Sequence, residues 1–217
     1  MMSKPQRNNN TTKDANNISS KLLGKKVSDI NIEKFRDLTQ YNKDKYELTG
    51  KFSIPILKTI TNKFSPQVMF TIILPNQAIS SIDPLSECQN LMILNLSHNS
   101  IENIAPLQNS KELKIVNFTD NSITNVNCLE GCKELVNIHL EGNMIKGLDQ
   151  IKALQTCSKL KNIHLQKLSG DLENPICLLN DYRENMLSFL QQIVRLDGTC
   201  VIMKVSRKEW KWTMEVN

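Results

Sequence analysis

Four side chains combine a type and a spacing that could bind a metal ion: His139, His164, Cys128 and Cys132. Imidazole and thiolate groups are ligands of Zn²⁺, and the two cysteines lie four residues apart in "CLEGC". No second cysteine pair follows at ligand spacing, however. The two histidines have no third Cys, Asp or His in their own column of the repeat described below. The sequence therefore predicts no metal site and no cofactor, and it favours a hydrogen-bonded ladder for the histidines over a shared metal or a pH sensor.

Catalytic motifs are absent from the sequence. The seven glycines form no phosphate-binding loop, and neither HExxH nor a nucleophile elbow occurs. His98 beside Ser97 has no evident third member, and adjacent residues of a strand point to opposite faces. We therefore expect no catalytic residues and a protein that is not an enzyme.

Composition excludes several other classes of protein. No run of eighteen apolar residues could span a bilayer, and the N-terminus has neither the apolar core nor the cleavage site of a secretory signal. Six cysteines are too few for a disulfide scaffold in a chain of 217 residues, so free thiols are expected. The net charge of +5 permits nucleic-acid binding without indicating it.

The elements that would position these residues come from an internal repeat. Three segments superimpose on the template L-x-x-L-x-L-x-x-N-x-I-x-x-I-x-x-L. They are "LMILNLSHNSIENIAPLQNSKE" (91–112), "LKIVNFTDNSITNVNCLEGCKE" (113–134) and "LVNIHLEGNMIKGLDQIKALQTCSK" (135–159). An earlier copy starts at Met69 with Gln77 in the Asn column, and a fifth starts at Leu160. The spacing is 22 residues except in the fourth unit, which carries three extra residues.

Such a repeat predicts an α/β solenoid. The L-x-x-L-x-L segments form short parallel strands of a concave sheet, and the rest of each unit returns along an irregular or 3-10 convex side. One unit alone cannot bury its leucines, so helical caps are expected at both ends. The Asn column is expected to satisfy buried backbone groups. Cys88, Ser110, Cys132 and Cys157 share a column that close packing explains.

Partner-binding residues are expected on the concave sheet, at the third, fifth and seventh positions of each unit. The candidates for binding a protein partner are Ile73, Ile93, Asn95, Ile115, Asn117, Thr119, His139, Glu141 and His164. Two arrangements are possible for the apolar side chains of the three isoleucines and Phe70. Either they form an exposed apolar patch that a partner covers, or the N-terminal segment folds over them.

The sequence on either side of the repeats predicts further elements. Residues 1–26 are expected to be a disordered Asn/Lys-rich tail, and residues 27–68 an N-terminal helix and cap, with Ile32, Phe35 and Leu38 on one helical face. The repeats occupy residues 69–174. Residues 199–217 form a tail in which Trp210 and Trp212 alternate with polar neighbours; they pack back on the domain or dock on a partner.

The C-terminal cap is expected in residues 175–198. Nine residues separate Leu165 from Asn174 where three separate Leu96 from Asn99, so six residues are inserted within "KLSGDLE". "NDYRENMLSFLQQIVRLDG" then predicts a helix closed by "RLDG". Its N-cap would be Asn180 or Asp181, with Glu184 completing a capping box. Its apolar face would comprise Met186, Phe189, Leu190 and Ile193.

The repeat resembles the leucine-rich repeats of the short, 22-residue class. "NPICLLNDYRENMLSFLQQIVRLDG" is similar to the C-terminal cap of nuclear-splicing, phosphatase-regulatory and axonemal leucine-rich-repeat proteins, with "NDYREN" close to the acidic nuclear phosphoprotein family. The acidic tail of that family is absent, so its histone and phosphatase activities are not implied.

Three features resemble the family of the vertebrate leucine-rich repeat-containing protein 61, over about residues 46–198. They are "LTGKF" (48–52), the longer fourth unit ending "LQTCSKLKNIHL", and the stretched junction before "NPIC". The longer "SIPILKTITNKFSPQ" departs from that family's pattern.

The resemblance implies a non-enzymatic adaptor that binds a protein partner of unknown identity. We expect it to be a subunit of a larger complex, with no membrane and no nucleic-acid partner. The expected location is the cytoplasm, in a ciliary or cytoskeletal assembly. The alternative is a nuclear ribonucleoprotein-associated subunit whose cap and basic tails approach RNA.

Overall fold

The computed structural model describes residues 52–201. The predicted disordered tail, the predicted helix around Ile32 to Leu38, and the candidate tail residues Trp210 and Trp212 lie outside this range. Within it, no helix is long and apolar enough to cross a membrane.

A single curved sheet runs the length of the described region. Within residues 52–201 it has seven strands in sequence order, of which the first six are parallel. The strands are β1 Thr71–Ile73, β2 Ile93–Asn95, β3 Ile115–Asn117, β4 Asn137–His139, β5 Asn162–His164, β6 Arg195–Leu196 and β7 Thr199–Cys200. The pairing joins Thr71, Ile93, Ile115, Asn137 and Asn162 in one row, and Ile73, Asn95, Asn117, His139 and His164 in another. The columns predicted from the repeat are confirmed.

Short 3-10 helices form the convex side. They span Asp83–Glu87, Ala105–Leu107, Asn127–Leu129, Leu148–Thr156 and Pro175–Leu178. The fourth is nine residues long, which accommodates the three extra residues of the fourth unit. The predicted architecture, a parallel concave sheet with a 3-10 convex side, is confirmed.

The core lies between these two layers and is continuous from Leu57 to Leu196. The repeating Leu, Ile and Phe positions, such as Leu94, Leu96 and Phe118, are fully buried. Each of these side chains contributes roughly 1.5–3 kcal/mol only when a neighbouring unit covers it, so the units stabilise one another. The Cys88, Ser110, Cys132 and Cys157 column is buried, as close packing predicts.

The Asn column binds backbone groups where the chain leaves each strand. The Asn143 amide accepts from the Ile123 N–H and donates to the Phe118 and Leu140 carbonyl oxygens, at 2.9 Å each. Asn174 repeats the pattern after the insertion, donating to the Leu165 carbonyl oxygen nine residues before it. The six extra residues therefore form a loop, and the chain re-enters the repeat at Asn174.

Short helices cover both ends of the core. Helix α1, Ile54–Thr61, contributes the fully buried Leu57 at the N-terminal end. Helix α2, Tyr182–Phe189, buries Met186, and Leu190 and Ile193 beyond its end are also buried. The predicted capping box is wrong, because Asp181 at the N-cap has a left-handed backbone with φ of 57° and makes no side-chain cap hydrogen bond.

The segment "RLDG" continues the sheet, which corrects its predicted role as the end of the cap helix. Arg195 and Leu196 form β6 and pair antiparallel with β7 across a two-residue turn. Asp197 and Gly198 form that turn with φ of 52° and 79°. Two consecutive positive φ values are those of a type I′ hairpin turn, for which Asp-Gly is a preferred pair.

Candidate functional site

The concave face of the sheet holds a groove of about 630 Å³. All but one of the predicted partner-binding residues in the described range line it. These are Ile93, Asn95, Ile115, Asn117, Thr119, His139, Glu141 and His164. Ile73, the exception, lies half-buried on β1 beyond the N-terminal end of the groove. The groove is thus centred on the C-terminal, polar half of the sheet.

The apolar end of the concave face does not form the exposed patch that was one of the two expectations. Ile93 and Ile115 are only 3% and 4% exposed, and Ile73 and Phe70 are half-buried. Side chains at equivalent positions of adjacent parallel strands lie about 4.8 Å apart, so they cover one another's flanks. Ile93 and Ile115 therefore form the floor of the groove at this end.

Three ionisable side chains meet at the other end of the groove. His139 and His164 are register partners on β4 and β5, and their rings stack with centroids 4.3 Å apart and planes 17° apart. Oε1 of Glu141 lies 3.1 Å from Nδ1 of His139 and 3.8 Å from Nδ1 of His164. Glu141 is two residues after His139, and side chains at that spacing point to the same face. The two rings therefore stack on each other, and the Glu141 carboxylate lies beside their Nδ1 atoms and is hydrogen-bonded to His139.

The Glu141 carboxyl is buried, and the surrounding groups keep it ionised. Burial raises its pKa. Four interactions outweigh this effect and lower the pKa: a hydrogen bond from His139, the positive charge of His139, a backbone hydrogen bond and the charge of His164. The net pKa lies below the ordinary value of 4.5. Its second oxygen accepts a 2.9 Å hydrogen bond from the Thr119 hydroxyl. The carboxylate is therefore held in one orientation from both sides.

Two buried polar atoms in the groove have no hydrogen-bond partner among the described residues: Oγ of Ser97 and Oδ1 of Asn137. The other atom of the Asn137 amide, Nδ2, lies 3.2 Å from Nε2 of His139. The nearby amides are satisfied: Oδ1 of Asn95 accepts from the Ser97 N–H, and Oδ1 of Asn117 accepts from the Thr119 N–H. A buried polar atom without a partner costs about 1–3 kcal/mol, so these two are candidates for ligand contact.

A catalytic triad does not form around His98. Nδ1 of His98 lies 2.9 Å from Oδ2 of Asp120, in the same column of the next unit. Ser97, however, makes no side-chain hydrogen bond within the described region. A nucleophile needs hydrogen-bond contact with its base, so the three residues form no proton-relay chain.

The cysteines of "CLEGC" are poor metal ligands in this structure. Burial raises the pKa of the Cys128 thiol to about 12 and also raises that of Cys132. Cys128 Sγ lies 3.2 Å from the Ile104 carbonyl oxygen, to which the thiol donates. Metals bind the thiolate form, so both side chains are suited to packing.

The inserted loop forms the C-terminal rim of the groove. Lys167, Leu168 and Ser169 line the groove, and the Leu168 side chain is 79% exposed. Single exposed leucines are normal on protein surfaces, but the position of Leu168 on the rim puts its apolar area where a molecule in the groove would contact it. A backbone hydrogen bond connects the loop to the preceding repeat: the Gly142 N–H donates to the Leu172 carbonyl oxygen.

Sequence reasoning missed several residues of the groove, namely Asn137, Asn162, Lys167, Leu168, Arg195 and Asp197. Asn137 and Asn162 occupy the third position of their units, which the repeat places on the concave face. Arg195 pairs with Asn162 and so extends a concave row beyond the last recognised repeat. The "DG" dipeptide was the available signal, because a hairpin turn there requires a strand on each side.

Some solved structures are similar to this chain. No family model matches the sequence. The chain is similar to a chain of the crystal structure of the Drosophila melanogaster SNF/U2A' complex, with 26% identity and a TM-score of 0.52 over 62% of this chain and 75% of that chain. It is also similar to internalin C2 of Listeria monocytogenes, with 22% identity and a TM-score of 0.49 over 60% of this chain and 51% of that chain. The architecture is that of a leucine-rich-repeat solenoid.

Proposed function

We propose that this protein is a non-enzymatic adaptor that binds a protein partner in its concave groove. The observation that carries the proposal is the combination of unpartnered buried polar atoms on the groove wall with an exposed leucine on its rim. The polar atoms supply hydrogen-bonding specificity, and Leu168 supplies apolar contact area.

The groove recognises hydrogen-bond donors in particular. Oδ1 of Asn137 is an acceptor, and Oγ of Ser97 can accept or donate. Both atoms are buried, so a partner can bond to them only when these side chains turn toward the groove, and the bonds then recover the free energy that their burial costs. Lys167 and Arg195 at the C-terminal end add positive charge for a partner that also carries a carboxylate.

Membership of a larger complex is part of this proposal. The similar Drosophila melanogaster chain belongs to the SNF/U2A' complex, at 26% identity to this chain. The solenoid also presents its sheet as an extended surface, which suits contact with a folded partner.

Co-purification of the tagged full-length chain with mass spectrometry tests the proposal. Leu168→Glu places a charge on the rim, and Asn117→Arg places a long cation in the groove. The matched control is Met144→Glu, because Met144 is 49% exposed and does not line the groove. Ile93→Glu is unsuitable, since it would bury an unpaired carboxylate and unfold the protein.

We expect wild type and Met144→Glu to co-purify with the same set of partners. Both groove variants, Leu168→Glu and Asn117→Arg, should lose that set. Each variant is first shown to be folded by its thermal unfolding transition. Retention of every partner by both folded groove variants contradicts binding in the groove.

The place of action that we propose is a ciliary or other cytoskeletal assembly in the cytoplasm. This rests on the resemblance to axonemal leucine-rich-repeat caps and to the family of leucine-rich repeat-containing protein 61. The alternative is a nuclear ribonucleoprotein-associated subunit, which the resemblance to nuclear-splicing caps favours. The location of a tagged copy distinguishes them, and salt-dependent RNA binding would favour the nuclear alternative.

A further inference from the structure

We propose that His139, Glu141 and His164 form a binding site for a divalent transition-metal ion of the Zn²⁺ type. One ligand atom from each residue lies within 4.8 Å of the other two. Two imidazoles and one carboxylate are a common three-ligand set for zinc sites that keep a fourth position open. The same set, with its two nitrogen donors, disfavours Mg²⁺ and Ca²⁺.

The backbone places these ligands without strain. His139 and Glu141 lie at positions i and i+2 at the end of one strand, and His164 is the register partner of His139 on the next. Two ligands of a tetrahedral zinc lie about 3.3 Å apart when each bond is about 2.0–2.1 Å. The 3.1 Å between His139 Nδ1 and Glu141 Oε1 already matches this. His164 Nδ1 lies 3.8 Å from the same oxygen, and the His164 ring must turn out of its stack on His139 so that both Nδ1 lone pairs point at one ion.

Groups around the cluster hold the ligands in place, as metal sites require. The Thr119 hydroxyl donates to the oxygen of Glu141 that does not face the histidines. Asn137 lies beside Nε2 of His139, the nitrogen that would not bind the metal. Each ligand side chain is at least four-fifths buried, so its position is set by packing.

The unpartnered oxygen of Asn137 is a second, independent observation. When Nδ1 of His139 binds a metal, its proton resides on Nε2, and Nε2 becomes a donor. A half-turn of the Asn137 amide then brings Oδ1 to accept that proton. Metal binding thus satisfies a side-chain oxygen that is otherwise buried without a hydrogen bond.

The fourth coordination position faces the groove, because all three ligands line it. Water or a donor group from another molecule can complete the site there. The metal site shares Asn137 with the proposed partner-binding groove. Its test needs no partner, so failure of the metal proposal can be distinguished from failure of the adaptor proposal.

Cobalt titration of the metal-stripped full-length protein tests the site, because tetrahedral Co²⁺ absorbs visible light strongly. We expect one equivalent of Co²⁺ to produce this absorption and Zn²⁺ to abolish it. No sulfur-to-cobalt charge-transfer band should appear, since none of the ligands is a cysteine. Glu141→Gln and His164→Gln should each weaken Co²⁺ binding at least about 10-fold, and Thr119→Val about 10-fold through loss of orientation.

The matched control is His98→Gln, which removes the third of the three histidines in the chain and should leave the titration unchanged. A second measurement, ¹⁵N spectroscopy of the wild-type protein, does not depend on whether the variants fold. In ¹⁵N spectra of the histidine rings, Zn²⁺ should shift two sets of resonances and leave that of His98 in place.

Absence of the Co²⁺ absorption, or absorption that persists in folded Glu141→Gln and His164→Gln, overturns the proposal. So does a Zn²⁺ titration that leaves the ring resonances of His139 and His164 unmoved. A charge-transfer band would instead assign the metal to cysteine and also overturn it.

Discussion

The Tyr182 hydroxyl donates a 2.9 Å hydrogen bond to Oδ2 of Asp197. This bond joins helix α2 to the turn that follows β6. The same carboxylate accepts from the backbone N–H of Leu165 at 2.8 Å, at the end of β5. One buried side chain, Asp197, therefore links the cap helix, the last repeat and the terminal hairpin.

Tyr182→Phe should lower the free energy of unfolding by about 1.5–3 kcal/mol, the usual contribution of a hydrogen bond to a charged group. Urea unfolding measures the change. Ser188→Ala is the control, because it removes an exposed hydroxyl from the same helix and should change stability by less than about 0.5 kcal/mol. Equal effects of the two variants would show that the Tyr182 bond does not secure the cap.

Asn143→Ala should lower the free energy of unfolding by about 2–3 kcal/mol, because the buried Ile123 N–H loses its acceptor. The control is Gln77→Ala in the same column. Gln77 donates only to the Pro75 and Asn76 carbonyl oxygens, and its Oε1 is unpartnered within the described region. Gln77→Ala should therefore lower the free energy of unfolding by less than about 1 kcal/mol. If the order of the two effects were reversed, the column would not act through backbone hydrogen bonds.

Gly142→Ala should be more destabilising than Gly198→Ala. Both glycines have positive φ, 66° and 79°, so each alanine costs about 1–2 kcal/mol of backbone strain. A Cβ on Gly142 would also lie 3.0 Å from the Leu172 side chain and 3.3 Å from the Asp120 Cα, whereas nothing lies within 4 Å at Gly198.

Thermal unfolding of the two glycine variants measures the difference, and adding Leu172→Ala to Gly142→Ala should recover part of the loss. The loss is compared with that of Leu172→Ala alone, and additive effects of the two substitutions would contradict a steric contact between residues 142 and 172.

Stability should depend on pH through Glu141, whose pKa is lower in the folded protein than the ordinary 4.5. Such a carboxylate stabilises the fold above its unfolded pKa, and the contribution is lost as the pH falls through the folded pKa. In the presence of a metal chelator, the free energy of unfolding should therefore fall more for wild type than for Glu141→Gln between about pH 5 and about pH 3. Urea unfolding across this range measures it. Parallel curves would contradict a stabilising role for the ionised carboxylate.

Much of the architecture follows from the sequence alone, because a repeat of seven matching positions admits one stacking register. The strand columns, the buried Asn ladder, the small-residue column and the place of the inserted loop are all consequences of that period. His139 and His164 come together for the same reason.

The tertiary structure alone shows which side chains of different columns touch each other. It alone also shows how the chain folds beyond the last repeat. The period places His139 and His164 in one column, but only the folded side chains bring the Glu141 carboxylate, from another column, next to both Nδ1 atoms. Likewise, Ile93 and Ile115 are buried in the folded protein, which periodicity along one strand does not show. The hairpin at Asp197 and Gly198 lies outside the repeat, and its strands are specified by pairing with β5 and by the buried Asp197 carboxylate. The period of the sequence thus determined the scaffold, while side-chain packing across strands determined the candidate site.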